Sequence, residues 1–309
     1  MTQRWAYLGP EGTFTEQAAR ELRSTTDGHV QLIPAVSVGA AIADLRAGVV
    51  AAACVPIENS VEGAVPLTLD ELTHGEQLMI SAEASVMVQL DLLVRPGTSL
   101  ADIRKVGSHP HGHAQVRGYM TATLPAAESV VFGSTAAAAA AVRAGELDAA
   151  AAAPAAGTRY ELESLAADIG EVHGAVTRFV LLRRPGFPVA RTGNDCTSLV
   201  VYVQDEPGSL LAMLAELANR GINLTRLESR PARSELGKYF FLLDADGHVE
   251  DPAMADAIAA LHRRSAGLRF LGSYPRVRGT AHIPPAFASP AAFARATAFV
   301  KGLTAGQAP

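Results

Sequence analysis

Residues 174–182 read Gly-Ala-Val-Thr-Arg-Phe-Val-Leu-Leu, so a hydroxyl, Thr177, and a guanidinium, Arg178, stand directly before a continuous apolar run from Phe179 to Leu182. Such a run reads as a buried strand of an α/β sheet, and polar groups at the mouth of that strand suit a small-molecule site. The hydroxyl can donate to an atom that gains negative charge, and the guanidinium can fork onto a carboxylate. A second polar set, Glu58-Asn59-Ser60, stands just past the apolar strand read over 49–56. A third, Ser108-His109-Pro110-His111-Gly112-His113 with Gln115, follows a short strand starting at Val106. Near the beginning of the chain, Gly9-Pro10-Glu11-Gly12 leads into Thr13-Phe14-Thr15-Glu16, a tight turn followed by a capping box. Backbone N–H groups at that helix start offer an anion site.

Each set also has an ordinary reading. Thr177 and Arg178 can begin a strand with the arginine solvated, and Asn59 or Ser60 can cap a turn. The glycine turn lacks the Gly-x-Gly-x-x-Gly spacing of a dinucleotide site. Three alternating histidines invite a metal, yet Pro110 and Gly112 break a regular strand and no carboxylate cluster flanks them, so no metal is expected. Cys54 and Cys196 fall in apolar runs far apart and read as buried thiols.

The elements that must hold these groups alternate. Strands read over 4–8, 31–35, 49–56, 78–80, 86–94, 106–108 and 130–132; helices read from Thr13 to about 23, over 38–47, over 114–123 with Gln115 in its first turn, and over 136–143 behind a Ser134 cap. The alanine run 149–153 reads as a short strand under close packing. Residues 183–195, with two prolines and two glycines, read as a linker. Beyond it the order is strand 197–204, helix 208–220, strands 223–229 and 239–245, helix 252–264 and strand 268–274, the ferredoxin-like βαββαβ pattern. A domain of that order pairs its sheet edges or packs against a copy of itself. A tail follows, with a short helix near 290–303.

With 309 residues, 49% hydrophobic and 18% charged, the chain can bury two sizeable cores. A net charge of −5 leaves no electrostatic footprint for nucleic acid, and no basic run would hold an anionic membrane. No apolar stretch suffices to span a bilayer, and a strand begins within a few residues of Met1, which leaves no room for a signal peptide. A cytoplasmic protein is expected.

In order and spacing, these residues resemble the prephenate dehydratase family with a C-terminal ACT regulatory domain, over nearly the whole chain from Tyr7 to Pro275. The resemblance is carried by Gly9-Pro10-Glu11-Gly12-Thr13-Phe14, Val55-Pro56-Ile57-Glu58-Asn59-Ser60, Ser108-His109-Pro110 with Gln115, and Thr177-Arg178-Phe179. In the regulatory part it is carried by Gly208-Ser209-Leu210 and Glu228-Ser229-Arg230-Pro231. It implies a bilobal, periplasmic-binding-protein-like α/β catalytic domain over 1–188, with lobes of about 1–80 plus 170–188 and of 81–169, and the active site in the cleft. A linker over 189–195, an ACT domain over 196–276 and a tail over 277–309 complete it. The implied activity is decarboxylating dehydration of prephenate to phenylpyruvate in phenylalanine biosynthesis, without a cofactor. Phenylalanine would act as allosteric effector at paired ACT domains of a dimer or tetramer. Members often carry Asn where this chain has Ala175, Gln where it has His111, and Gly-Ala-Leu followed by a small residue where it has Ser209 and Leu211. Bifunctional relatives carry a chorismate mutase domain ahead of the glycine turn, which here begins at Gly9.

Loss of water and CO2 aromatises the prephenate ring, so the reaction is downhill and the barrier lies in departure of hydroxide. The resemblance makes Thr177 the donor to that oxygen, with Glu58 as a second acid if burial keeps it protonated. A tight cation on the ring carboxylate would stabilise the ground state more than the transition state. Arg178 is therefore expected to hold the pyruvyl carboxylate or to brace the site. Thr13, Asn59, Ser60, Ser108 and Gln115 are the expected polar contacts, with Phe14 and Phe179 as an apolar wall. Gly208, Ser209, Leu210, Leu211, Asn223, Glu228, Ser229, Arg230 and Pro231 are the expected effector contacts. Two alternatives stand beside this reading: arogenate dehydratase, and a non-catalytic amino-acid sensor, which would need no donor at a leaving group.

Overall fold

The computed structural model describes residues 2–231, 239–277, 279 and 283–306. They group into one unit of Met1–Glu71 with Ala84–Arg184 and a second of Leu72–Glu83 with Pro185–Pro309.

The chain begins with β1 (Gln3–Leu8), α1 (Phe14–Ser24), β2 (Val30–Ala35), α2 (Val38–Arg46), β3 (Ala52–Asn59), β4 (Gly63–Ala64), α3 (Pro66–Thr73) and β5 (Met79–Met87). It continues through β6 (Asp91–Val94), β7 (Lys105–Ser108), α4 (Pro110–Gln115), α5 (Arg117–Thr123), β8 (Glu128–Val131), α6 (Thr135–Ala144), β9 (Ala149–Ala152), α7 (Pro154–Tyr160), β10 (Glu163–Ala166) and β11 (Val176–Arg183). Two sheets result, ordered β2-β1-β3-β11-β5 with β4 beside β3, and β10-β6-β9-β7-β8. Each is the spine of one α/β lobe, so the bilobal arrangement is present. In the first, β1 runs parallel to β2 and β3, while β11 returns antiparallel to β3.

The alanine strand explains how the second lobe packs. Ala149 and Ala151 face one apolar cluster with Leu92 and Val106, while Ala150 and Ala152 face another with Leu93, Ala138 and Val142. A strand buried on both faces by methyl groups lets α6 lie close. Ser134 caps α6, its Oγ accepting from the Ala137 N–H at 3.0 Å.

The structure redraws three boundaries near the expected chemistry. β3 runs on to Asn59, because β11 keeps pairing with it as far as Thr177 opposite Asn59; Glu58 and Asn59 thus lie on the strand rather than past its end. The histidine stretch is helical from Pro110, with His109 as the cap and proline at the first turn, where its missing N–H costs nothing. Gln115 therefore ends α4 rather than opening the next helix, and Val116 separates α4 from α5.

The second unit contains β12 (Asp195–Tyr202), α8 (Ser209–Ala218), β13 (Leu224–Pro231), β14 (Tyr239–Asp246), α9 (Pro252–Arg264), β15 (Gly267–Pro275) and α10 (Pro290–Thr304). Its antiparallel sheet is ordered β13-β14-β12-β15, and Leu199, Val201, Met213, Leu217, Leu243 and Leu261 fill its core. This is the expected βαββαβ domain. Residues 72–80, expected in the first lobe, and 81–83, expected in the second, group with this unit. Tyr202 Oη donates to the Thr73 carbonyl at 2.8 Å, and Gln77 Nε2 to the Phe270 carbonyl at 2.8 Å. Gly272, at φ +132°, lets the backbone at Ile80 pass where any Cβ would strike the Ile80 carbonyl. Of the tail 277–309, residues 278, 280–282 and 307–309 lie outside the described residues. Among the described residues no helix is long and apolar enough to cross a membrane.

Candidate active site

The antiparallel register of β3 and β11 sets Thr177 opposite Asn59 and Arg178 opposite Glu58. The pairing then shifts, with Phe179 opposite Pro56, so Ile57 is an extra residue on β3. Bulges of this kind bend a strand and re-aim the side chains beside it. Here the bulge immediately precedes the Glu58–Asn59 pair.

Asn59 Nδ2 donates to Thr177 Oγ1 at 2.8 Å. The Asn59 Oδ1 accepts from the N–H groups of Val61 at 2.8 Å and Glu62 at 3.1 Å. With two backbone donors on the oxygen, the amide must present its NH2 to Thr177. Thr177, 8% exposed, then receives a hydrogen bond on its oxygen, and its own proton has no acceptor among the described residues. A hydroxyl arranged so is a hydrogen-bond donor to whatever lies in front of it.

Ser60 fastens the start of β11: its N–H donates to the Val176 carbonyl at 2.9 Å, and its Oγ accepts from the Val176 N–H at 2.9 Å. That is a positioning duty for a residue expected to touch substrate. Arg178, with an 18% exposed side chain, has Nη1 3.7 Å from a Glu58 carboxylate oxygen. The Glu58 side chain is 41% exposed, so the burial on which its expected part as a second acid was conditioned is missing.

Other expected contacts are engaged locally. Thr13 Oγ1 donates to the Leu8 carbonyl at 2.9 Å and accepts from the Glu16 N–H at 3.2 Å. The Gly12 N–H donates to a Glu16 carboxylate oxygen at 2.6 Å. Two of the donors expected to bind an anion are thus satisfied within the turn. Ser108 is fully buried and donates to the Ala151 carbonyl at 2.8 Å, tying β7 to β9. Phe179 is buried in its own lobe and forms no exposed wall, whereas Phe14 packs against the apolar cluster of the second lobe around Leu92 and Val116. Gln115 is half-buried; its carbonyl accepts from the Glu171 N–H at 2.7 Å, and its side-chain amide has no partner among the described residues.

Polar side chains join the two lobes beside the Phe14 packing. Tyr160 Oη donates to the Glu11 carbonyl at 2.9 Å, Arg159 pairs with the Glu11 carboxylate, and His111 Nδ1 lies 3.3 Å from a Glu62 carboxylate oxygen. Sequence reasoning missed α7, which supplies two of them: its short Pro-Ala-Ala-Gly-Thr-Arg-Tyr run has no amphipathic repeat, and its one signal is proline at the first turn. His109 stacks on His111 at 5.1 Å, and burial pushes it below the ordinary histidine range, with His111 and His113 acting in the same direction.

In the second unit, Gly208 caps α8 at φ +86°, and Ser209 Oγ donates to the Glu206 carbonyl at 2.8 Å. A cavity of about 230 Å³ opens there, lined by Val201, Gly208, Ser209, Met213 and Arg264 among others. Leu210 and Leu211 are exposed. Asn223 is held by Asp246, Nδ2 to carboxylate at 2.8 Å. Glu228, Ser229, Arg230 and Pro231 lie on the edge strand β13, two strands away from β12, and none of them lines that cavity.

Residues 5–186 match the family model described as prephenate dehydratase, and residues 197–263 the model described as ACT domain. A prephenate dehydratase of Amycolatopsis methanolica is 48% identical over 279 residues, covering 90% of this chain and 90% of that protein. One of Mycolicibacterium vanbaalenii is 48% identical over 291 residues, covering 91% and 93%. Among solved structures, the prephenate dehydratase of Arthrobacter aurescens in complex with L-Phe superposes with a TM-score of 0.89 at 44% identity, over 97% of this chain and 99% of its own. A chain described as GqqA, a novel type of quorum quenching acylase, superposes with a TM-score of 0.77 at 33% identity, over 88% and 98%.

Proposed function

The chain belongs to the prephenate dehydratase family, and on that premise we propose that it converts prephenate to phenylpyruvate with Thr177 as donor to the departing hydroxyl. The observation that carries this reading is the Asn59–Thr177 hydrogen bond, which leaves the threonine proton for an acceptor outside the protein. Charge grows on the leaving oxygen in the transition state, so a donor held there lowers the barrier, and receiving a bond from Asn59 makes the hydroxyl a better donor. Arg178, braced by Glu58, takes the pyruvyl carboxylate and stays off the carboxylate that leaves as CO2. Gln115, with its amide unengaged among the described residues, is a further substrate contact from the second lobe.

An acyl-transfer reading has less support. It needs a nucleophile hydrogen-bonded to a base. Ser60 and Ser108 hold backbone groups instead.

Phenylalanine acts as effector at the ACT domain in this reading. The N-terminus of α8, with Gly208, Ser209 and the cavity beside them, suits an amino acid's carboxylate, and β13 of a second copy supplies Glu228–Pro231. Self-association is then part of regulation. Incubating the purified protein with prephenate, and in parallel with arogenate, tests the activity: ultraviolet absorbance of phenylpyruvate from the first supports it, and turnover of the second alone would reassign the substrate.

A further inference from the structure

The histidine that replaces the usual glutamine after His-Pro has a partner across the cleft. His111, on α4 of the second lobe, sets Nδ1 3.3 Å from a carboxylate oxygen of Glu62, in the turn between β3 and β4 of the first lobe. The backbone N–H of the same Glu62 donates to Asn59 Oδ1 at 3.1 Å, and Asn59 donates to Thr177 Oγ1 at 2.8 Å. From these contacts we propose that Glu62 and His111 are a positioning pair: they tie the second lobe to the turn that orients Asn59, and through it the Thr177 hydroxyl. This inference rests on the assignment of Thr177 as donor.

The pair sits among other polar groups. Glu62 faces His111 from the β3–β4 turn, and His109 stacks on it from the helix cap. His109 accepts the His111 N–H on Nδ1 at 3.3 Å and is held below the ordinary histidine range by burial. His113, in the last turn of the same helix, has Nε2 on the Val130 carbonyl at 2.9 Å. Of the elements packed on α4, β9 is all alanine, β7 has its one ionisable residue, Lys105, at its far end, and α5 brings Arg117. Both side chains are partly exposed, so the contact shifts an equilibrium by about two- to five-fold rather than by orders of magnitude.

Glu62→Gln and His111→Gln remove the charge and keep the shape. On prephenate, the wild type should exceed each variant in kcat by about two- to five-fold, with KM changing less. The double variant should be no slower than either single one. Equal rates, or additive losses in the double variant, would overturn the positioning role. A readout independent of activity uses Glu62→Cys with His111→Cys: a short bifunctional thiol cross-linker should join the two positions within one chain, seen as one added linker mass with both thiols consumed, since Cys54 and Cys196 are buried. Absence of that cross-link, with each single cysteine shown to react, would show that the two positions do not meet in solution. A wild type inert towards prephenate would instead refute the activity, with the cross-link still deciding the pair.

Discussion

Asn59 and Thr177 face one another across β3 and β11, joined by an amide-to-hydroxyl hydrogen bond of 2.8 Å whose direction is set by two backbone N–H groups on the Asn59 oxygen. Asn59→Asp keeps the acceptor for those N–H groups but replaces the donor with a carboxylate, which would take the Thr177 proton for itself. Turnover should fall by about 10²-fold, in the range seen when one transition-state donor is lost, with KM changing little. Steady-state kinetics on prephenate separate the two parameters.

Arg178→Lys tests substrate grip. The charge remains and the bidentate fork is lost, so KM should rise about tenfold while kcat stays within a few-fold. A faster decarboxylation step in the variant would place Arg178 on the ring carboxylate instead. Glu58→Gln should raise KM in the same direction by a smaller factor, because Glu58 braces the guanidinium.

Gly112 lies over Ser108 so closely that an added Cβ would overlap the serine hydroxyl. Gly112→Ala must push α4 outward or turn Ser108 away from the Ala151 carbonyl it holds. Overpacking of this order destabilises by about 1–3 kcal/mol. A lowered midpoint in urea unfolding, with unchanged slope, is the expected result.

How much of this was legible in the sequence depends on the physics of each feature. The βαββαβ order was readable from the apolar periodicity of its helices; the alternation expected over 197–204 is not met, because β12 is buried along almost its whole length. The lengths of β3 and α4 were not readable: a strand prolonged by its partner, as β3 is by β11 through Asn59, carries no apolar signal in its polar end. The helix at Pro110–Gln115 was hidden by its glycine and histidines, poor helix formers, and is held by the His109 cap and by packing on Ser108. The duties of Thr13, Ser60 and Ser108 were equally invisible, since a serine or threonine that caps or staples a backbone has the same letters as one that binds substrate. The register that joins Thr177 to Asn59, residues far apart in the chain, becomes visible only once β3 and β11 are paired.

Regulation is best tested in the full chain. Truncation near Pro188 would strip Leu72–Glu83 of its partners and expose Leu78 and Ile80, which are buried. Ser229→Ala, on the exposed side of β13, should reduce inhibition by phenylalanine several-fold while the uninhibited rate stays nearly intact. Inhibition curves at fixed prephenate measure it. Unchanged inhibition together with competition against prephenate would move the effector to the catalytic cleft.

The donor role of Thr177 is tested most directly by comparing single-turnover formation of phenylpyruvate in the wild type and in Thr177→Val. Valine keeps the shape of a nearly buried side chain and removes the proton that Asn59 leaves directed away from itself. A fall of about 10²–10³-fold in the rate of the chemical step, with prephenate affinity nearly unchanged, is the result predicted. A rate within a few-fold of the wild type would contradict the assignment and make Thr177 a structural residue of β11.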